Sequence, residues 1–256
     1  MLLALTLVFL NCKDSETKIK VATKTDAQTE ATSAEKLMAK AIEVSGSNKI
    51  NNATLQFDFR DKHYKALRQN GRFSLEREFT EDEHKIKDVL TNDGFERFKD
   101  EVYLNVLDSM LPKYSASVNS VHYFAVLPYS LDATAVNKAL LDDVSIKNQI
   151  YHTVKVTFNE AGGGEDFEDV FLYWINAETF KIDYLAYSYN ESDGPGLRFR
   201  EAYNARRVEG IRFVDYKNYK PKSNTMALTD FPKLFSDGQL MLLSKIETEN
   251  IKVILQ

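Results

Sequence analysis

One cysteine, Cys12, stands in 256 residues, so no thiolate cluster is available to hold zinc. The histidines do not replace it. His63, His84, His122 and His152 include no pair at i,i+4 and match no zinc spacing. Glycine and proline are scarce, at ten and five residues, which favours tight turns over long flexible loops. Positive charge is short as well: the formal net charge is −5, and no Lys/Arg run is interleaved with aromatics. Nucleic acid, whose phosphates require a basic face, is therefore excluded as a partner. The uncharged run M-L-L-A-L-T-L-V-F-L is too short to span a bilayer. There is no G-x-S-x-G elbow, no P-loop and no G-x-G-x-x-G, and G-P-G at 194–196 reads as a turn. No cofactor is expected, and an enzymatic role is disfavoured.

Aromatic residues are plentiful. Sixteen Phe and thirteen Tyr sit in a chain that is 43% hydrophobic, enough to build a core. Rings of this kind favour pleated, half-wet surfaces, which tilts the fold towards strands.

The N-terminal apolar run suits a signal-peptide h-region, and Cys12 follows it. An unpaired cysteine there is expected to carry a lipid, although Phe9 and Asn11 stand where lipoprotein signals usually hold Leu and a small residue. Buried acyl chains contribute about 0.8 kcal/mol per methylene, so two or three anchor a protein firmly. Lys13, Asp14, Ser15 and Glu16 resemble the Lys-plus-acidic export signal of some surface lipoproteins. Residues 13–32 are polar without an apolar period and read as a tether. The expected organisation is residues 1–11 signal peptide, 12–32 lipidated cysteine and linker, and 33–256 one domain. The protein is expected to be a monomer on the outer membrane, facing the periplasm or the surface.

The domain opens on a helix: Thr32 and Glu35 form a capping box, Ala34, Leu37, Met38, Ala41 and Ile42 share a face, and Gly46 ends it. Period-2 sequence follows. Leu55, Phe57 and Phe59 alternate with polar residues. Asn70-Gly71 joins 62–69 to 72–79, with Phe73, Leu75 and Phe79 on one face, and Asn92-Asp93-Gly94 joins 85–91 to 95–99. Between about 105 and 143 helical spacing appears in V-L-D-S-M-L, S-V-N-S-V-H-Y-F-A-V-L and A-V-N-K-A-L-L. Strands resume at 150–158, with His152 on the apolar parity, and continue at 168–175, 180–189, 197–204 and 211–219. A short helix near 229–240 and a strand near 241–254 complete nine or ten strands. V-F-L-Y-W-I is apolar on both parities, so one strand at least is covered on both sides. The fold class is mainly β (α+β): a curved antiparallel sheet or half-barrel, with the N-terminal helix and the helical insertion packed in its concave face. A β-sandwich is the alternative.

The segments F-D-F-R-D-K-H-Y, K-D-V-L-T-N-D-G-F, V-N-S-V-H-Y-F-A-V-L-P-Y, G-G-G-E-D-F-E-D-V-F-L-Y-W-I, L-A-Y-S-Y, R-F-R-E-A-Y-N and G-I-R-F-V-D-Y-K-N-Y-K-P resemble a family of uncharacterised exported lipoproteins of Bacteroidetes-type bacteria, a domain of unknown function, over about residues 35–250. The layout is similar to the LolA/LolB lipoprotein-carrier fold, in which a half-barrel and helical lid enclose an acyl cavity. That resemblance implies binding of a lipid or other apolar small molecule. A deoxyribose-phosphate aldolase reading also attaches to such sequences, but it needs a Schiff-base Lys on a parallel (β/α)₈ strand, which the hairpins contradict.

The candidate cavity residues are Phe57, Phe59, Phe73, Leu75, Val121, Phe124, Leu172, Trp174, Tyr184, Phe199 and Phe213; the alternative is that they simply fill a core, giving a structural or interaction lipoprotein. Arg198 and Arg200 share a strand face and could grip an anionic head group, or pair across strands with Asp215 or Asp183. Glu165, Asp166, Glu168 and Asp169 after the glycine run are oxygen donors suited to Ca²⁺, but their spacing matches no EF-hand and a solvated turn is the simpler reading. His122 and His152 read as core histidines. Metabolic labelling with palmitate is expected to mark the wild-type chain and to leave Cys12→Ala unlabelled; equal labelling of both would remove the anchor.

Overall fold

A computed structural model describes residues 32–161, 167–191 and 194–256. Helix α1 (Ser33–Ser45) starts at the capping box, with the Thr32 hydroxyl accepting from Glu35 N and the Glu35 carboxylate accepting from Thr32 N. Gly46 ends it at φ 70°. A Cβ there would lie 2.5 Å from the Gly210 carbonyl oxygen, so glycine is required both for its conformation and for the close approach. The helix buries Ala34, Met38, Ala41 and Ile42, the face its 3.6-residue spacing predicts.

Six antiparallel strands follow in meander order: β1 (Ala53–Phe59), β2 (Lys62–Gln69), β3 (Arg72–Glu81), β4 (His84–Thr91), β5 (Gly94–Lys99) and β6 (Val102–Tyr103). Asn70 and Gly71 both take positive φ, as a two-residue hairpin turn of matching twist demands. A 3₁₀ turn (Asp108–Met110) then leads into α2 (Leu111–Ala125), with Pro112 in its first turn. The second meander comprises β7 (Val136–Ile146), β8 (Gln149–Phe158), β9 (Val170–Asn176), β10 (Ile182–Glu191), β11 (Gly194–Val208) and β12 (Ile211–Lys220). After α3 (Phe231–Ser236), β13 (Met241–Ile246) pairs with β12 and β14 (Glu249–Leu255) pairs with β1. The result is two curved seven-stranded sheets, ordered β14-β1-β2-β3-β4-β5-β6 and β13-β12-β11-β10-β9-β8-β7, open rather than closed into a barrel. Every pairing among the described residues is antiparallel, which is incompatible with a (β/α)₈ aldolase architecture.

Among the described residues two sheets stand where one bent sheet was expected, and fourteen strands where nine or ten were. A-V-N-K-A-L-L is strand β7, not a helix. It is a half-exposed edge with a register shift between Leu141 and Val144, so its apolar residues lose clean alternation and mimic helical spacing. V-L-D-S-M-L holds only the 3₁₀ turn. The expected loop at 205–210 is mostly strand: β11 runs to Val208 through a bulge between Tyr203 and Arg206, with Asn204 at φ 50°. His152 is not in the core. It is half-buried and bonds the Asp143 carboxylate at 2.9 Å, while its neighbours Tyr151 and Thr153 are buried instead.

The interior has three apolar clusters. One lies between α1 and the face of the second sheet carrying Val154, Val156, Phe171, Tyr173, Leu185 and Tyr187. A second joins Leu55, Phe57, Tyr64 and Leu75 of the first sheet to Val118 of α2 and to Phe213. The third covers the opposite face of the second sheet, where Trp174 and Phe199 lie under Phe231 of α3. That sheet is buried on both faces, as V-F-L-Y-W-I implies.

The two sheets meet where β13 passes into β14 through Glu247 and Thr248 alone. Asp215 of β12, only 2% exposed, holds this crossing. Its Oδ1 accepts from Thr248 N at 3.0 Å and from Arg206 Nη2 at 3.0 Å, and its Oδ2 accepts from Asn204 Nδ2 at 2.6 Å. The bulge is what brings Asn204 and Arg206 onto the carboxylate. Replacing one partner of a buried pair leaves the other uncompensated, so Asp215→Ala is expected to cost about 3–5 kcal/mol in urea unfolding. Glu43→Ala, which removes an exposed partner of Lys40, is expected to stay within about 0.5 kcal/mol. A loss below about 1 kcal/mol for Asp215→Ala would mean that the crossing holds without it.

Candidate functional site

Helix α2 lies across the inner surfaces of both sheets and is fastened to them by neighbouring residues. His122 bonds the Glu76 carbonyl of β3 at 3.0 Å, and the Tyr123 hydroxyl bonds that of Tyr173 on β9 at 2.7 Å. A carbonyl only accepts, so His122 carries its proton on Nε2 and leaves Nδ1 as a bare, buried acceptor with no partner among the described residues. Phe57 and Tyr64 pack edge-on against its ring. Burial, with the charges of Arg68 and Arg77 adding to it, depresses its pKa to about 3, so the ring is neutral. Burial also pushes the hydroxyls of Tyr123 and Tyr173 upward, keeping both protonated.

Beneath α2 the inner surface is rich in arginine. Arg77, Asp88 and Arg97 stand side by side on β3, β4 and β5 through the registers Arg77↔Asp88 and Asp88↔Arg97. Asp88 takes both guanidiniums, from Arg77 Nε at 3.0 Å and from Arg97 Nε at 2.6 Å. Helix α2 covers them: Ser117 accepts from Arg77 at 2.7 Å, and the Arg97 guanidinium stacks 3.8 Å from the Tyr114 ring centre. Two further buried arginines lack a carboxylate. Arg68 of β2 lies against Tyr129, just past the helix, with Nη1 unpartnered; burial lowers its pKa. Arg200 of β11 lies 3.6 Å beneath the Phe124 ring and donates from Nη2 to the Tyr187 hydroxyl at 2.8 Å. Its Nε and Nη1 are unpartnered. Asp88 thus serves two of four buried guanidiniums, Arg68 and Arg200 have no carboxylate partner among the described residues, and α2 itself contains no Asp or Glu.

The structure divides the residues singled out from the sequence. Phe57, Leu75 and Phe213 are buried in the cluster under α2, with Phe59, Phe73 and Val121 partly buried at its margin, and Phe124 belongs to the adjoining cluster. Leu172, Trp174, Tyr184 and Phe199 lie on the opposite face of the second sheet, beneath α3, and do not share a space with the others. Arg198 and Arg200 also part. Arg198 donates to its own neighbour's carbonyl, on Leu197, and lies over Tyr189. Neither pairs with Asp215 or Asp183, which are occupied by Arg206 and Arg212. Glu165, Asp166 and Cys12 lie outside the described residues. Glu168 lines a small groove of about 180 Å³ with Ser188 and Asn190, and Asp169 precedes β9. Among the described residues no three His, Cys, Asp or Glu side chains converge as metal ligands.

Sequence reasoning missed Arg68, Arg77, Asp88 and Arg97. Their signal was parity: Arg77 falls between Leu75 and Phe79 on the apolar side of β3, and Asp88 falls between Ile86 and Leu90 on that of β4. A larger groove of about 950 Å³ lies along the first sheet, among Asp58, His63, Glu78, Phe79, Ile86 and Phe98, and none of the eleven cavity candidates lines it.

A neutral buried His122 ties stability to pH. Between about pH 6.5 and about 3 the unfolded chain binds a proton that the folded chain refuses, so acid removes stability across that window. His122→Gln retains an N–H donor for Glu76 but does not titrate. Urea unfolding at a series of pH values from about 7 to about 4 is expected to show a shallower slope for it than for wild type. Identical slopes would place the imidazole's proton affinity near normal.

No curated protein matches the chain in sequence. Among solved structures it is similar to a LolA superfamily protein from Nitrosomonas europaea, at 12% identity and TM-score 0.48, covering 87% of this chain and 94% of that one. It is also similar to a DUF1329 family protein from Desulfovibrio piger, at 8% identity and TM-score 0.43, covering 87% and 93%. Residues 22–248 match the model of the family of unknown function DUF6503, and the chain belongs to that family.

Proposed function

We propose that the chain is a cell-envelope lipoprotein, tethered through Cys12, that holds a lipid or other apolar ligand between its inner sheet faces and α2, with α2 as the lid. The observation that carries this reading is how lightly α2 is held. Of its fifteen residues only Ser115, Val118 and His122 are buried, two of them polar, whereas the thirteen-residue α1 buries five. Neither end of α2 has a side-chain cap. A segment with few buried apolar contacts belongs to the low-stability end of a fold, where lids are drawn from. Lifting it would uncover Phe57 and Leu75 of the first sheet and free Val121 and Phe124 of the helix itself, apolar surfaces suited to an acyl chain. A surface-interaction role is the second reading. It rests on the edge strand β6 and the residues after it, where Val102 and Leu107 are 69% and 71% exposed.

Native mass spectrometry of the mature chain bearing Cys12→Ser, purified without detergent, is expected to show adducts that organic extraction identifies as lipids. A spectrum free of adducts, together with no binding of an added dodecyl-chain amphiphile, would overturn the carrier reading in favour of a surface role.

A further inference from the structure

The proposed ligand has a head as well as a tail, and Arg200 says what that head is. The residue is 7% exposed, beneath Phe124 of α2, and meets no carboxylate among the described residues. Of its five N–H groups, one reaches the Tyr187 hydroxyl, while Nε and Nη1 are buried with no acceptor among the described residues. The aromatic rings around it return only part of what burial costs. Phe124 at 3.6 Å, Tyr187 at 5.2 Å and Tyr216 at 5.8 Å are cation–π partners. Such contacts offset the desolvation of a buried cation only in part, and an anion would complete the balance.

Two observations argue against a merely structural arginine. The obvious internal counter-ions are committed elsewhere: Asp215 to Arg206 and Thr248, and Asp183 to Arg212. The same deficit recurs on the facing sheet, where Arg68 is buried against Tyr129, just past α2, without an acid among the described residues. The space beneath the lid is therefore positive from both sides.

We propose that Arg200 is the head-group site of the carrier, binding an oxyanion through its free Nε and Nη1 donors while the ligand's apolar tail lies along the surface that α2 covers. A planar guanidinium fork matches a carboxylate, or one edge of a phosphate, with two parallel hydrogen bonds. Burial keeps the neighbouring hydroxyls of Tyr123 and Tyr173 protonated, and protonated phenols do not repel an anion. This assignment rests on the lid reading above and narrows it from apolar ligands in general to anionic amphiphiles.

The test holds the tail constant and varies the head. Dodecanoate, dodecyl phosphate, dodecanol and dodecyltrimethylammonium are titrated calorimetrically into the mature Cys12→Ser chain below their micelle concentrations. Both anions are expected to bind at least about tenfold more tightly than the alcohol, and the cation more weakly still, as a charge-assisted pair predicts. Whichever anion ranks first separates a fatty-acid carboxylate from a phospholipid-type phosphate. Arg200→Gln is expected to erase the preference while dodecanol still binds, and Arg200→Lys to restore part of it. Equal binding of alcohol and anions by wild type, or an anion preference that survives Arg200→Gln, would overturn the head-group assignment and leave the carrier reading intact. Binding of none of the four would overturn both. The wild-type comparison needs no variant, so a substitution that unfolds the protein does not blunt it.

Discussion

Asp215 is the constraint on which the architecture turns. Two seven-stranded sheets share one short covalent crossing, the pair Glu247–Thr248, and a two-residue link has no stiffness of its own. Its orientation comes from a buried carboxylate that accepts simultaneously from the crossing backbone, a bulge asparagine and Arg206. Arg206 also donates to the Thr248 hydroxyl at 2.8 Å and to its carbonyl, so the cation and the anion grip the same peptide. The bulge in β11 is functional in this sense. It turns the strand so that Asn204 and Arg206 both reach Asp215, whereas a regular continuation of the Tyr203↔Asp215 register would put both on the other face. A second clasp lies at the far end of α1, where Lys49 donates to the Glu209 carbonyl and Arg207 to that of Val44. There Gly46 and Gly210 approach too closely for any side chain.

With the sheets held, their unequal cover sets where the molecule can give. The second sheet is packed on both faces, by α1 and by α3, and the stacked rings of Trp174, Tyr184, Phe199 and Phe235 fill its outer side. Such a layer is stiff, because close packing leaves no cheap rearrangement. The first sheet is different. Its inner face presents the Arg77–Asp88–Arg97 row to α2, so that beside the apolar cluster Val118 shares with Leu55, Phe57 and Leu75 the helix is met by a hydroxyl, an imidazole and a stacked tyrosine. Polar contacts of this kind can be exchanged for water or ligand at modest net cost, since each is worth about 1 kcal/mol on balance. On the lid reading, α2 rests on the sheet better able to release it.

Charge and greasiness coexist under that helix for a reason that amphiphile binding explains economically. A purely apolar interior would require no guanidinium, and a purely structural ion pair would bring its own carboxylate. Asp88 satisfies Arg77 and Arg97, while Arg68 and Arg200 lie near aromatic faces with donors to spare.

The sequence by itself determined what is local. The capping box at Thr32, the turn at Asn70-Gly71, the alternation in β1 and the two-sided apolarity of V-F-L-Y-W-I each depend on neighbours within a few residues, and each forms as its pattern implies. Inward arginines were visible as polar residues on apolar parity, although their partners were not. Tertiary structure alone decided the rest. Which aromatics share a space depends on which helix covers which face, so Trp174 and Phe199 fell under α3 while Phe57 and Phe124 fell under α2. Strand β7 lost its periodicity because an edge has only one paired neighbour and half its side chains meet water. The fates of Asp215 and Arg200, one saturated and one unpaired, were set by a bulge and a register, and those distances close only when residues far apart in the chain are brought together.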